Sequence, residues 1–113
     1  MDLITERDTK QKHLDKAILD LRGNGTAYAE AEKNYKILLR QEVLKLRDEG
    51  TAIGVIDKIC YGIPSVAEAR YKRDIAKTIY EANQEAINSL KLQLRLIDNQ
   101  IQREWVNDWK RGI

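Results

Sequence analysis

The feature that most limits the fold of this chain is the stretch of residues 66–110, which contains neither proline nor glycine. Ser65 precedes it and Glu68 follows three residues later, the spacing at which a serine hydroxyl and a glutamate cap each other's backbone amides at a helix start. Pro64, just outside, disfavours helix before it. The sequence therefore predicts one uninterrupted helix, which at about 1.5 Å per residue is roughly 70 Å long.

Apolar side chains recur along this helix at steps of three and four residues, as they do on one helix face. The stripe consists of Ile75, Ile79, Ala82, Ala86, Leu90, Leu94, Ile97, Ile101 and Trp105. Leu92 and Leu96 lie off the stripe and are expected to widen the apolar face near the middle of the helix. An apolar face this broad has to be covered by another element or another molecule.

A second long helix is predicted upstream, at about residues 8–48. Its apolar residues form two stripes, Leu14, Ile18 and Leu21, and then Tyr28, Ala31, Tyr35, Leu39, Val43 and Leu46. Between the stripes, Gly23-Asn24-Gly25-Thr26 is either a turn, with Thr26 capping the next helix, or a weak point inside one continuous helix. Two interior glycines cost roughly 1 kcal/mol each, which favours the turn. Length matching with the last helix favours continuity.

Together these elements predict an all-α fold for a single helical domain of residues 1–113. Its two long helices, at about 8–48 and 66–110, form an antiparallel hairpin of the coiled-coil kind. Gly50 ends the first helix, and a short capping helix at about 52–60 closes the hairpin. A ligand pocket at the closed end is the alternative to a simple cap. Cys60, the only cysteine, is expected to be a buried thiol.

The register of the hairpin follows from matching the apolar stripes. Folding back at about residue 57 sets Tyr28 near Ala86 and Tyr35 near Ile79, and places the two glycines opposite Leu90. In the capping helix, Thr51 is expected to act as the amino-terminal cap. Gly54 inside it suggests that another part of the backbone approaches closely.

Two antiparallel helices bury one stripe each, so apolar surface is left over. Self-association is expected, most simply as a two-fold dimer that forms a four-helix bundle. The alternative is a monomer whose first 22 residues turn back to cover the face. The candidate interaction surface comprises Leu92, Leu96, Trp105 and Trp109. The tryptophan pair is either a contact for another protein or packed within the chain or on the dimer mate.

The densest group of basic residues is Arg70, Lys72, Arg73 and Lys77. Lying close to tyrosines, it is a candidate phosphate or nucleic-acid patch. The interleaved acids Glu68, Asp74 and Glu81 favour a solvated helix face instead. The formal net charge is only +2, and charges of both signs alternate along the chain. The sequence therefore neither demands nor excludes nucleic acid as a partner.

Residues that carry chemistry are sparse. His13 is the only histidine, no di-iron or phosphate-loop motif is present, and no catalytic, cofactor-binding or metal-binding residue is predicted. The chain is therefore not expected to be an enzyme. The first residues lack the pattern of a secretory signal and no apolar run is long enough for a membrane span. A cytoplasmic location without membrane contact is expected.

Several segments carry a family resemblance: residues 29–35 (AEAEKNY), 46–50 (LRDEG), 71–76 (YKRDIA), 85–91 (EAINSLK) and 103–105 (REW). In these the chain resembles a group of small uncharacterised proteins of phages and prophages of Gram-positive bacteria. The resemblance implies a phage accessory protein with no defined activity, working in the host cell cytoplasm. A protein partner is the first hypothesis: a host factor, a defence component or a replication partner. The alternatives are a nucleic-acid-binding factor of replication or recombination, and a structural or assembly protein.

Overall fold

The computed structural model describes residues 2–112, and helices are the only regular elements in that range. In chain order they are α1 (Leu3–Asp48), α2 (Ile53–Ile59), a 3-10 turn (Cys60–Gly62) and α3 (Pro64–Arg111). The predicted all-α class, with two long helices and a short one between them, is confirmed.

Helix α1 begins earlier than the predicted residue 8 because Asp2 caps it. The Asp2 carboxylate accepts a hydrogen bond from the Thr5 backbone amide at 2.8 Å and one from its hydroxyl at 3.2 Å. This satisfies a backbone donor that has no partner within the helix. From Leu3 the helix continues through Gly23 and Gly25 without interruption. The structure therefore contains a continuous helix at these glycines and not a turn.

Gly50 ends α1, as predicted. Its φ of +85° is a left-handed conformation in which a Cβ is strained, and its amide donates to the Arg47 carbonyl at 3.0 Å. The Thr51 amide donates to the Leu46 carbonyl at 3.0 Å, which completes the paired hydrogen bonds of a Schellman motif. Thr51 thus belongs to the end of α1 and does not cap α2, so that prediction is wrong.

The expected starts of α2 and α3 both need correction. The residue before α2 is Ala52, which makes no side-chain capping bond. Helix α3 starts at Pro64, because proline's fixed φ suits the first helical position and its missing N–H is not needed there. Ser65 therefore lies inside the first turn and is not the cap. Ile63 precedes the proline in extended conformation, as a residue before proline prefers.

The capping helix buries less than the sequence suggests. Ile56 and Cys60 are buried, which confirms the prediction of a buried thiol, but Ile53, Val55 and Ile59 are each 44% exposed or more. A seven-residue helix presents only one side to its neighbours, so its remaining apolar residues face solvent. A Cβ built at Gly54 meets nothing within 4 Å beyond its own chain neighbours and the adjacent backbone of its helix, so the expected close backbone approach is wrong.

The described chain divides into two compact units. We call residues 2–22 with 82–112 the terminal unit and residues 23–81 the central unit. Each contains part of α1 and part of α3. The full-length hairpin concerns the relation between the two units and stays a prediction.

In the terminal unit the two helix segments pack antiparallel. Leu14, Ile87 and Leu94 form a buried cluster, with Ala17, Leu21 and Leu90 packed against it. The Arg7 guanidinium contacts the Asp98 carboxylate at 2.6 Å, and the Asn83 side-chain amide donates to the Ala17 carbonyl at 2.9 Å. Later residues of α1 therefore meet earlier residues of α3.

In the central unit the pairing is again antiparallel, but its register differs from the prediction. Tyr28 lies against Tyr80, with ring centroids 5.9 Å apart, and the Arg73 guanidinium lies 4.7 Å from the Tyr35 ring centroid. Both pairs are centred on residue 54 instead of 57. The predicted register failed because it matched aliphatic stripes and gave no weight to a guanidinium packing on a tyrosine ring.

The row of α3 side chains that is buried or half-buried differs from the predicted stripe in the first half of the helix. Its continuous line is Val66, Ala69, Arg73, Ala76, Tyr80, Asn83, Ile87, Leu90, Leu94, Ile97 and Ile101, and Gln93 and Gln100 beside it are also half-buried. The residues of this line alternate steps of three and four, the spacing of a helix that packs along one narrow contact. Ile75 and Ile79 are off this row, and they are 42% and 50% exposed.

The two glycines inside α1 give a matched test of packing against backbone propensity. A Cβ built at Gly23 meets nothing within 4 Å, whereas one built at Gly25 lies 3.1 Å from Cε1 of Tyr80. We predict that Gly23→Ala raises the free energy of unfolding by about 1 kcal/mol, because alanine is the better helix former. Gly25→Ala should give no gain, because the Tyr80 ring has to move. Urea unfolding followed by circular dichroism measures both.

A Tyr80→Ala background provides the control for this comparison. With the ring removed, both glycine substitutions should stabilise the chain equally, as expected when a coupling between neighbours is abolished. Equal gains in the wild-type background would contradict the predicted contact.

Gly50→Ala should lower the free energy of unfolding by about 1–2 kcal/mol, because the left-handed backbone at this position is unfavourable for any residue with a Cβ. Gly54→Ala is the matched control, since Gly54 has open space around it and is not among the glycines with positive φ. It should leave stability unchanged or raise it slightly. A Gly50→Ala variant as stable as the wild type would contradict the observed end of α1.

Candidate interaction surface

The last turns of α3 carry the most exposed large side chains of that helix. Residues 102–111 are all exposed, and Trp105 and Trp109 are 70% and 65% exposed. A shallow cleft of about 480 Å³ runs along the two indoles and is lined by Trp105, Asp108, Trp109 and Gly112. The alternative in which the pair packs on the amino-terminal helix is therefore not what the structure has. This part of α3 presents its aromatic rings to solvent.

Leu92 and Leu96 are also exposed, by 51% and 58%, but on another side of the helix. Leu96 and Trp105 are nine residues apart, which is about two and a half helical turns, so they point to opposite sides. The leucines also point away from the buried row at Leu94. The four residues predicted as one interaction surface are thus two separate pairs.

The four basic residues do not form a single patch either. Arg70, Arg73 and Lys77 follow one another at steps of three and four and share one side of α3. Lys72 is two residues from Arg70, a rotation of about 200°, and lies on the other side.

The three cations that share a side have partners within the chain. Arg70 lies 5.5 Å from the ring centroid of Tyr61, and the Lys77 ammonium is 3.9 Å from the Glu81 carboxylate. Arg73 packs on Tyr35, as described above. A phosphate would have to compete with these side-chain contacts to bind the three cations.

Arg73 is the centre of a polar group within the buried row. Its guanidinium donates to the Glu32 carboxylate at 3.1 Å and to the Asp74 carboxylate at 2.7 Å, and its side chain is only 19% exposed. The hydrogen bond from Arg73 lowers the pKa of Glu32 below its ordinary value, and the same bond raises the pKa of Arg73. Arg73 therefore holds α1 and α3 together within the central unit.

A groove that was not predicted from the sequence lies between α1 and α3 in the central unit, and we call it the central groove. Its small residues are Ala27 and Ala31 from α1 and Ala69 and Ala76 from α3. Two adjoining hollows of about 570 and 210 Å³ make up the groove, and they share Ala27 and Lys72. Ile75 and Ile79 line its edge. The sequence feature that could have indicated the groove is the α3 stripe that was assigned to the core. Its residues Ile75 and Ile79 border the groove instead.

Within residues 2–112, no group of three or more histidine, cysteine, aspartate or glutamate side chains is arranged to hold a metal ion. No helix in the same range has both the length and the apolar character needed to cross a membrane.

No protein-family model, no curated protein sequence and no solved structure matches this chain. Its function has to be inferred from its own side chains.

The contact between Arg73 and Glu32 predicts a dependence of stability on pH. A carboxylate whose folded-state pKa is lowered stabilises the fold above its unfolded pKa of about 4.3, and this stabilisation is lost as pH falls through the folded value. We predict that Glu32→Gln destabilises the chain at about pH 7 and has a smaller effect near pH 3, because the wild-type carboxylate takes up protons as pH falls through its lowered folded-state pKa.

Urea unfolding midpoints at the two pH values measure this effect. Glu85→Gln removes an exposed carboxylate of α3 that lies outside the central groove and serves as the control. An unfolding difference between wild type and Glu32→Gln that is the same at both pH values would contradict the assigned role of the Glu32 carboxylate.

Proposed function

We propose that this chain is a non-catalytic protein that acts by binding other protein molecules through exposed apolar side chains of α3. The observation that carries the proposal is the pair Trp105 and Trp109, 70% and 65% exposed on helical turns with no buried side chain. Tryptophan is the side chain most enriched among residues that dominate binding energies at protein interfaces. Two such rings on neighbouring turns of one helix give a partner a single apolar ridge to enclose.

We further propose an assembly, an origin and a partner for the chain. The two long helices form one antiparallel hairpin, and the hairpin self-associates into a bundle. The chain is an accessory protein of phage type, which rests on the family resemblance of its sequence. Its partner in the infected cell is a host factor, a defence component or a replication protein.

A nucleic-acid-binding role is less well supported. Arg73 is mostly buried between two carboxylates and a tyrosine ring, and Lys72 lies on the opposite side of the helix from Arg70. Binding to nucleic acid rests on several cations that face one phosphate backbone together. The placement of these residues favours protein partners.

Affinity capture from lysate of a Gram-positive host tests the proposed contact. We predict that the wild-type chain enriches a specific protein and that a Trp105→Ser/Trp109→Ser variant loses at least about nine-tenths of it, since losing interface tryptophans costs about 2 kcal/mol or more each. Quantitative mass spectrometry of the bound fraction measures the loss.

Leu19→Ser is the matched control, because Leu19 is 78% exposed on α1, away from the tryptophans. It should retain the partner at the wild-type level. Equal capture by all three chains, or no enriched protein with the wild type, would count against the proposal.

A further inference from the structure

The central groove combines hollows and projections on one surface. Ala27 and Ala31 leave space on its α1 side, and Ile75 and Ile79 stand at its α3 edge, 42% and 50% exposed. All of these residues lie in the central unit. The surface therefore has hollows that can accept an aliphatic side chain, and it also has exposed isoleucines that can enter such a hollow.

This combination is what a two-fold symmetric interface requires, because the same patch must serve as both partners. We infer that the central groove is the dimer interface of this chain and that it is occupied by α3 of a second copy. Ile75 and Ile79 of each copy enter the hollows beside Ala27 and Ala31 of the other, which brings four helix segments together as in a four-helix bundle. The inference rests on the self-association part of the proposed function.

The charges along the groove suit a second copy. Glu30, Glu68 and Lys72 line it, so each copy presents both signs at the edge of the contact. In a two-fold arrangement the lysine of one copy can face a carboxylate of the other, and no field of a single sign opposes the approach.

The exposed area of the chain is also large enough to supply such an interface. The accessible surface is 8576 Å² for a mass of 13.1 kDa. A compact monomer of that mass exposes about 6,400 Å². The difference, about 2,200 Å², is spread over the whole chain, and a stable interface needs roughly 800 Å² of surface from each partner.

Size-exclusion chromatography with light scattering, over a range of concentrations, tests the inference. The wild type should have twice the monomer mass of 13.1 kDa. Ile79→Glu should weaken dimerisation by at least about 100-fold, because it places a charge in an apolar contact. Ile37→Glu is the matched control, since Ile37 is also 50% exposed and in the central unit but lines a different hollow. It should remain dimeric.

A second pair of variants decides the question if Ile79→Glu fails to fold. Ala27→Trp fills the groove from an exposed position and should yield monomers, whereas Ala29→Trp, exposed on the same helix outside the groove, should not. Circular dichroism reports whether each variant keeps its helices.

A wild type that is monomeric at every concentration would overturn the inference, because the groove then has another occupant or none. A dimer that persists in Ile79→Glu and Ala27→Trp would place the interface elsewhere, as would controls that dissociate equally. These outcomes leave the tryptophan-mediated capture untouched, because that assay changes only the end of α3. Failure of the groove and failure of the proposed partner binding are therefore distinguishable.

Discussion

Each long helix of this chain buries one narrow row of side chains, and the rest of the structure depends on that row. With no other layer to pack against, a helix segment has only the three-and-four spacing of its row to fix which side faces its neighbour. The terminal unit uses aliphatic residues for this purpose, Leu14, Ile87 and Leu94. The central unit uses Tyr35 and Tyr80, and it places Arg73 among them. The buried row is therefore aliphatic in the terminal unit, whereas in the central unit it contains tyrosines and an arginine.

A charged residue in the row needs several partners because it gives up part of its hydration. Arg73 obtains them from Glu32, Asp74 and the ring of Tyr35. Removing one partner of a partly buried pair leaves the other without compensation, so registers that break the Arg73–Glu32 pair are disfavoured. A shift of one helical turn would move the guanidinium off both Glu32 and Tyr35. Polar contacts and aromatic rings therefore agree on the register of the central unit.

The positions of the helices could be predicted from the sequence, whereas the side of each helix that is buried could not. The absence of proline and glycine from residues 66–110 indicated α3, and Gly50 indicated the end of α1. The stripe through Ile75 and Ile79 looked like the core because both residues are aliphatic, but Arg73 and Tyr80 took those places. A hydrophobicity pattern always favours burial of an isoleucine over an arginine, even where the guanidinium stacks on a ring. The buried row of α3 could therefore be recognised only from the contacts in the structure. For the tryptophans the sequence left exposure and packing as open alternatives, and the structure has them on turns where no side chain is buried.

The two ion pairs that join α1 to α3 differ greatly in the length of chain they enclose. Glu32 and Arg73 are 41 residues apart in the sequence, whereas Arg7 and Asp98 are 91 apart. Bringing distant residues together costs conformational entropy that grows with the length of the intervening chain. Formed from the unfolded chain, the Arg7–Asp98 contact therefore costs more loop-closure entropy than the Glu32–Arg73 contact.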